Sequence, residues 1–262
     1  MSALRVYVEG IGVWSRQLAD FAALRTQLAG TSPAPPSRPA AATLPPNERR
    51  RAPESVLLAV EVAGQAVAMS GRDAASLACV FSSSHGDQPI TDYMCATLAQ
   101  APNELSPIRF HNSVHNAPVG YWTIATGCHA PSTAVCAHHA SFGAGLLEAA
   151  TQVVADQRAV LLVCSDTAGR EPLREVTGCA DPFGCALVLA PQPGEATLAR
   201  LTLKLTARLA ETALPQPLAD WRAANPSAAS LPLLRLLADA GGHCELTAAA
   251  TLGLRIDMEK VA

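Results

Sequence analysis

Between Arg109 and Gln152 the chain gathers His111, His115, Cys128, Cys136, His138 and His139, and an apolar helical period starts at Ala140. A thiol near the start of a helix is a nucleophile arrangement. The thiolate is the attacking form, and the positive end of the helix dipole lowers the thiol pKa. A histidine in the same place is pushed toward its neutral form. Neutral imidazole can take a proton, but it is a poor carrier for a durable acyl intermediate. The groups able to act here are Cys136 as nucleophile and His138 or His139 as base.

Other groupings carry less chemistry. His111 and His115 have the spacing of a helical metal pair. Asn116, an N-cap type, and Pro118 place the helix start after them, and no carboxylate or cysteine lies near enough in sequence to complete a site. Cys128-His129 and Cys136 with His138-His139 fall on opposite sides of a strand-to-helix turn, so no metal is expected. Ser83 or Ser141, His85, and Asp87 or Asp166 supply the residue types of a hydrolase triad, but no GxSxG elbow occurs. Gly10-Ile11-Gly12 follows a strand but lacks the third glycine of a dinucleotide loop, so a tight turn is expected. No cofactor is expected. The eight cysteines form no CxxC pair, and several, such as Cys79 in LACVF and Cys164 in LLVCS, lie in apolar runs. They read as small buried hydrophobes.

The elements that must position these groups alternate between strand and helix. Strands are expected at Arg5–Gly10, Ser76–Ser82, Ser132–Ala137 and Ala159–Ser165. A hairpin is expected from Ala186–Ala190 and Leu198–Leu205 around Pro191-Gln192-Pro193-Gly194. Helices are expected at Gln17–Leu28, Glu54–Ser70, Thr91–Ala101, from Asn116 to about Gly127, at Ala140–Asp156 and near Leu231–Ala240. In the second of these Val56, Val60, Ala63 and Val67 share a side. In the Ala140 helix Phe142, Leu146, Ala149 and Val153 do so. Leu246–Ile256 reads as one terminal strand. The alternation gives an α/β layered fold, and the all-apolar AVLLVCS requires a sheet covered on both faces. The chain of 262 residues has formal net charge −3, with 49% apolar and 16% charged residues. That composition buries a large core and excludes a disordered or electrostatic nucleic-acid-binding protein. Arg49-Arg50-Arg51 reads as a solvated face. No signal peptide or membrane span is read, so the expected location is the cytoplasm.

Long segments in order, VEGIGVWS, VLLAVEVAGQAV, CVFSSSHGD, VHNAPVGYWTIATG, PSTAV with ASFGAGLLEAA, and DPFGCALVLAP, resemble the β-ketoacyl synthases, condensing enzymes of the thiolase-like fold. The resemblance covers residues 1–205 and implies a half-length thiolase-like domain, with 206–262 as a short divergent tail on a single domain, 1–262. In that family the nucleophilic cysteine falls seven residues after the serine of a Gly-Pro-Ser turn. Here the turn is Ala130-Pro131-Ser132, and the count reaches His139. Cys136 lies three residues earlier, where the strand should be, and using it needs a register slip that inverts the strand's two faces. Gly242-His243 lacks the spacing and preceding lysine of the family's last motif, and His243 is expected in a turn. The resemblance therefore implies a degenerate nucleophile position, with Cys136, His138 and His139 as an alternative catalytic set. It implies a non-catalytic, chain-length-factor-like subunit similar to the small ketosynthase-like protein of bacterial aryl polyene (xanthomonadin-type) pigment clusters. Its implied partners are a full-length β-ketoacyl synthase, as a heterodimer, and an acyl carrier protein through that complex. Phe110, Val114, Tyr121 and Trp122 are implied to lie at the pair interface and shape the acyl tunnel.

Overall fold

The computed structural model describes residues 3–32, 34, 38–207, 211–239 and 241–261. In chain order the first half runs β1 (Leu4–Ser15), α1 (Phe21–Leu28), α2 (Pro46–Arg51), α3 (Glu54–Ser70), β2 (Ala78–Ser82), α4 (Gln88–Gln100), α5 (Pro107–His111), α6 (Ala117–Thr126) and β3 (Ser132–Val135). The second half continues α7 (Ser141–Asp156), β4 (Val160–Asp166), α8 (Leu173–Thr177), β5 (Phe183–Ala190), β6 (Ala199–Ala207), α9 (Leu218–Ala224), α10 (Leu231–Ala238), β7 (Gly241–Ala249) and β8 (Leu252–Lys260).

All the strands join one mixed sheet in the order β3-β2-β4-β5-β1-β6-β8-β7. The β3-β2-β4 end is parallel and the remaining pairs are antiparallel. The expected hairpin between β5 and β6 does not form. β1 lies between them, with Tyr7 opposite Ala190 on one side and Arg200 on the other. Two strands joined by a short Pro-Gly connection look like a hairpin locally, but the N-terminal strand takes both inner edges.

β1 also runs straight through Gly10-Ile11-Gly12, where a turn was expected. A Cβ at Gly10 or Gly12 would fall on the carbonyl oxygen of Ala66 or Val62. The glycines are there so that the backbone of α3 can lie against the strand. α3 matches its expected span, and Gly71 closes it in the left-handed conformation.

Two cores result. On one sheet face α3 and α6 bury Val56, Val60, Ala63 and Trp122. On the other, α7 buries Phe142, Leu146, Ala149 and Val153, with α10, β7 and β8 in the same cluster. Burying each large side chain stabilises by about 1.5–3 kcal/mol. α7 is closed in from two sides. A Cβ at Gly145 would meet Ser82 and Leu162, whereas one at Gly143 would fall on the carbonyl oxygen of Thr247 in β7.

The segment read as a divergent tail is thus structural. It supplies β7 and β8, a terminal hairpin in place of the single expected strand, and α10. Ala240, at the end of that expected helix, lies outside the described residues. His243 sits within β7 opposite Asp257, not in a turn. Arg49, Arg50 and Arg51 lie on the short, unburied α2. No helix among the described residues is long and apolar enough to cross a membrane.

Because the contact at Gly143 is to backbone, Gly143→Ala is expected to cost about 1–3 kcal/mol as an overpacked position. The check is the urea unfolding midpoint. An unchanged midpoint would mean that β7 does not close on α7.

Candidate functional site: an imidazole-lined turn ahead of α7

The site is built outward from Asp166, at the end of β4 and 1% exposed. Its Oδ1 accepts from Ser83 Oγ at 2.7 Å, Ser84 N at 2.8 Å and His85 N at 3.1 Å. Its Oδ2 accepts from Ser227 Oγ at 2.6 Å, and its main-chain oxygen accepts from Asn225 Nδ2 at 2.9 Å. A buried carboxylate needs such donors, because an unpaired one costs several kcal/mol.

Asp166 thereby fixes the loop after β2, and that loop holds the turn before α7. Ser84 Oγ donates to the His138 carbonyl at 2.7 Å, and Cys136 Sγ donates to the Ser84 carbonyl at 3.4 Å. The His138 carbonyl also accepts from Ser141 Oγ at 2.7 Å and Ser141 N at 3.1 Å. Ser141 Oγ in turn accepts from Ala137 N at 3.0 Å. His138 has φ 52°, a left-handed conformation uncommon outside glycine. Its carbonyl is over-determined by these three donors, which is how such a conformation persists.

Three imidazoles meet at this turn. The His138 and His139 ring centroids are 4.1 Å apart, and His85 lies 5.4 Å from the first and 6.0 Å from the second. All three pairs are edge to face. Burial pushes the His85 pKa down, the neighbouring His138 and His139 add to this, and Asp166 opposes it. Burial and then His138 push His139 down, with Asp166 again opposing. Both rings are held toward the neutral form.

Cys136 is exposed, just past β3. Its thiol gives its hydrogen to the Ser84 carbonyl. Of the other cysteines only Cys95 is exposed. The buried Cys79, Cys179, Cys185 and Cys244 thiols are pushed up to about 12 by burial.

The hydrolase residues do not assemble. Ser83 and Ser141 spend their hydroxyls on Asp166 and His138 O, and Asp87 caps α4 through Ile90 N at 2.8 Å. His111 ends α5, while His115 Nε2 sits 3.0 Å from Ser83 O. Cys128 Sγ donates to Leu77 O at 3.2 Å. Among the described residues no group of three His, Cys, Asp or Glu side chains is placed to hold a metal ion.

Phe110 and Val114 are 57% and 51% exposed, beside Ile108 at 71% and Ile124 at 84%. Tyr121 is half-buried and donates from its hydroxyl to Asn112 Oδ1 at 3.2 Å. Trp122 departs from the expected interface set. It is 1% exposed, in the core against α3. Neighbours on a helix point about 100° apart, so Tyr121 and Trp122 take different faces. Of the residues that organise the site from a distance, Asp166 was named in the sequence only as a hydrolase-triad acid, and Asn225 and Ser227 went unassigned. The one visible signal for them was the acidic end of an otherwise apolar strand.

The sequence model described as beta-ketoacyl synthase, N-terminal domain, matches residues 24–250. The chain belongs to the β-ketoacyl synthase family. Several solved structures share the fold of this family member. A chain in the Xenorhabdus doucetiae complex of the ketosynthase ApeO with its chain length factor ApeC is 24% identical, with TM-score 0.73, over 97% of this chain and 99% of that one. A chain of the ishigamide ketosynthase/chain length factor is 15% identical, with TM-score 0.72, over 99% and 100%. A chain of AntDE:AntF, a type II polyketide acyl carrier protein in complex with its ketosynthase, is 17% identical, with TM-score 0.64, over 78% and 69%. At these identities the likeness shows the fold alone. No curated protein matches.

Two outcomes follow for this ketosynthase-family site. Asp166→Ala strips the acceptor from four donors, and is expected to cost about 3–5 kcal/mol, read by urea denaturation. His85 and His139 have folded-state pKa values below the ordinary 6.5. The unfolded chain therefore takes up protons first as pH falls through about 6.5. Stability should be full above that pH, decline below it, and level off once the folded rings protonate. The double variant His85→Gln/His139→Gln should flatten that decline in melts across the same pH range.

Proposed function

We propose that this chain is a non-catalytic, chain-length-factor-type subunit. It pairs with an active β-ketoacyl synthase in the cytoplasm and shapes the tunnel that receives the growing acyl chain, in polyene or fatty-acid-type biosynthesis. An acyl carrier protein reaches it through that complex. The observation that carries this reading is the turn ahead of α7. It offers imidazole where the family resemblance calls for thiolate, and the nearby Cys136 Sγ donates to the Ser84 carbonyl. The described relatives support it, since they include a ketosynthase in complex with its chain length factor.

The two edges of the sheet support a pairing role. β7 is shielded by the 211–214 segment, where Thr212 N donates to Glu245 O at 3.2 Å and Glu245 N to Thr212 Oγ1 at 2.8 Å. β3 ends the sheet, and among the described residues no such bond covers its outer side. Pro131 and Val135 turn their carbonyls to β2, so by alternation Ser132 and Ala134 direct theirs outward. Ser132 and Ala134 are also exposed. A bare edge strand is a template for another chain. The apolar surface of Ile108, Phe110, Val114 and Ile124 supplies the kind of area a partner buries. In this reading Phe110, Val114 and Tyr121 face the partner or the tunnel, while Trp122 supports them from the core.

Co-expression with a full-length β-ketoacyl synthase from the same organism should yield a stable heterodimer on size exclusion. Ala134→Pro removes an outward N–H without touching the β2 ladder. It should weaken pairing at least about tenfold, which is about 1.4 kcal/mol, at an unchanged melting temperature. Ala134→Lys should act the same way. Cys136→Ala should leave product formation by the complex intact. A stoichiometric acyl adduct on Cys136, detected by mass spectrometry, would instead establish an active enzyme with His138 or His139 as base.

A further inference from the structure

The two carboxylate oxygens of Asp87 are treated differently by the fold. Oδ1 accepts from Ile90 N at 2.8 Å and caps α4. Oδ2 is buried and has no donor among the described residues. The whole residue is 8% exposed. A buried carboxylate oxygen is costly without a donor, and native folds supply one.

Asp87 lines a cavity of about 20 Å³. The cavity lies between the start of α3, the loop after β2, the end of β4 and the turn joining α5 to α6. Ser55, Ser165 and Asn112 also line it, and all three are buried. The two serine hydroxyls can give or take a hydrogen bond. Asn112 spends its Oδ1 on the Tyr121 hydroxyl at 3.2 Å, which leaves its Nδ2 as a donor. Phe81 and Val114 complete the wall with apolar surface.

Room and chemistry together select the occupant. A polar cavity above roughly 10–15 Å³ holds one water molecule when two to four polar groups face it. Small organic ligands need roughly 300–1,000 Å³. A cation would meet the hydrogens of the Asn112 amide. Water can give a hydrogen to the carboxylate and accept one from the amide.

We infer that this cavity is a binding site for one ordered water molecule, which donates to Asp87 Oδ2 and accepts from Asn112 Nδ2. The water joins the loop after β2 to the turn before α6, where His115 Nε2 already donates to Ser83 O at 3.0 Å. Ser83 lines the same cavity and donates to Asp166 Oδ1 at 2.7 Å. The network centred on Asp166 is thereby extended to residues 112–115. Val114 is half-exposed over the cavity, so the water underlies surface assigned above to a partner. The site itself does not depend on that assignment.

The test is a crystal structure of the full chain together with water-to-amide cross-relaxation in solution. One water within about 3.2 Å of both Asp87 Oδ2 and Asn112 Nδ2 is expected, with dipolar cross-peaks from bound water to the amides of Asp87 and Asn112. Ser55→Val fills the cavity and should abolish both signals. Ser55→Ala leaves the room and should keep them. A dry cavity in the wild-type crystal would overturn the inference, as would a protein donor on Asp87 Oδ2 in place of water. Cross-peaks that survive in a folded Ser55→Val chain would overturn it too. Soaked rubidium that gives an anomalous peak in the cavity would make it a cation site and equally overturn the assignment to water.

Discussion

The buried carboxylate of Asp166 is the constraint on which the rest of the site depends. Removing a charge from water is costly, and here the cost is offset by donors drawn from far apart in the chain. Ser83, Ser84 and His85 come from the loop after β2, and Ser227 comes from beyond α9. Satisfying one charge therefore fixes three segments against one another. The loop after β2 then passes the order on, since Ser84 grips His138 and receives Cys136. For the same reason the last part of the chain cannot be a loose appendage. Ser227 and Asn225 serve the same aspartate, and β7 closes over α7.

The turn ahead of α7 keeps the geometry that presents a side chain at a helix N-terminus, but its chemistry differs. Three imidazoles crowd together, and His85 and His139 are pushed toward the neutral form by burial and by the neighbouring His138. Neutral rings are compatible with a helix start, where a cation would be repelled. The thiol closest to them is spoken for by a carbonyl. The hydroxyls that might have joined a relay hold backbone instead, Ser83 through Asp166 and Ser141 through His138. Hydrogen bonds that could have served a reaction hold the turn in shape.

The sheet divides the same way. One edge is covered from within by Thr212, while the other ends in a short strand of small residues that has no outer partner strand among the described residues. Glycine stands in two settings in the molecule. At Gly10, Gly12 and Gly143 it lets one main chain reach another. At Gly120 a Cβ would meet nothing within 4 Å among the described residues.

Sequence alone determined what is written within a few residues. α3 follows from its apolar period and Gly71. The buried stripe of α7 follows from the spacing of Phe142, Leu146, Ala149 and Val153. His139 sits where it does by counting on from Ala130-Pro131-Ser132. These depend on helix period, caps and motif spacing, all local. Tertiary structure alone decided that β1 enters between β5 and β6, that Gly10 and Gly12 seat a helix instead of making a turn, and that Tyr121 faces out while Trp122 faces in. It also decided that Asp166 gathers Ser83 and Ser227, which lie 83 and 61 residues away. Strand partners and donors for a buried charge are chosen among segments that meet only after collapse. The energy that selects them, burial of apolar area and pairing of polar groups, belongs to the assembled layers and to no single stretch of the chain.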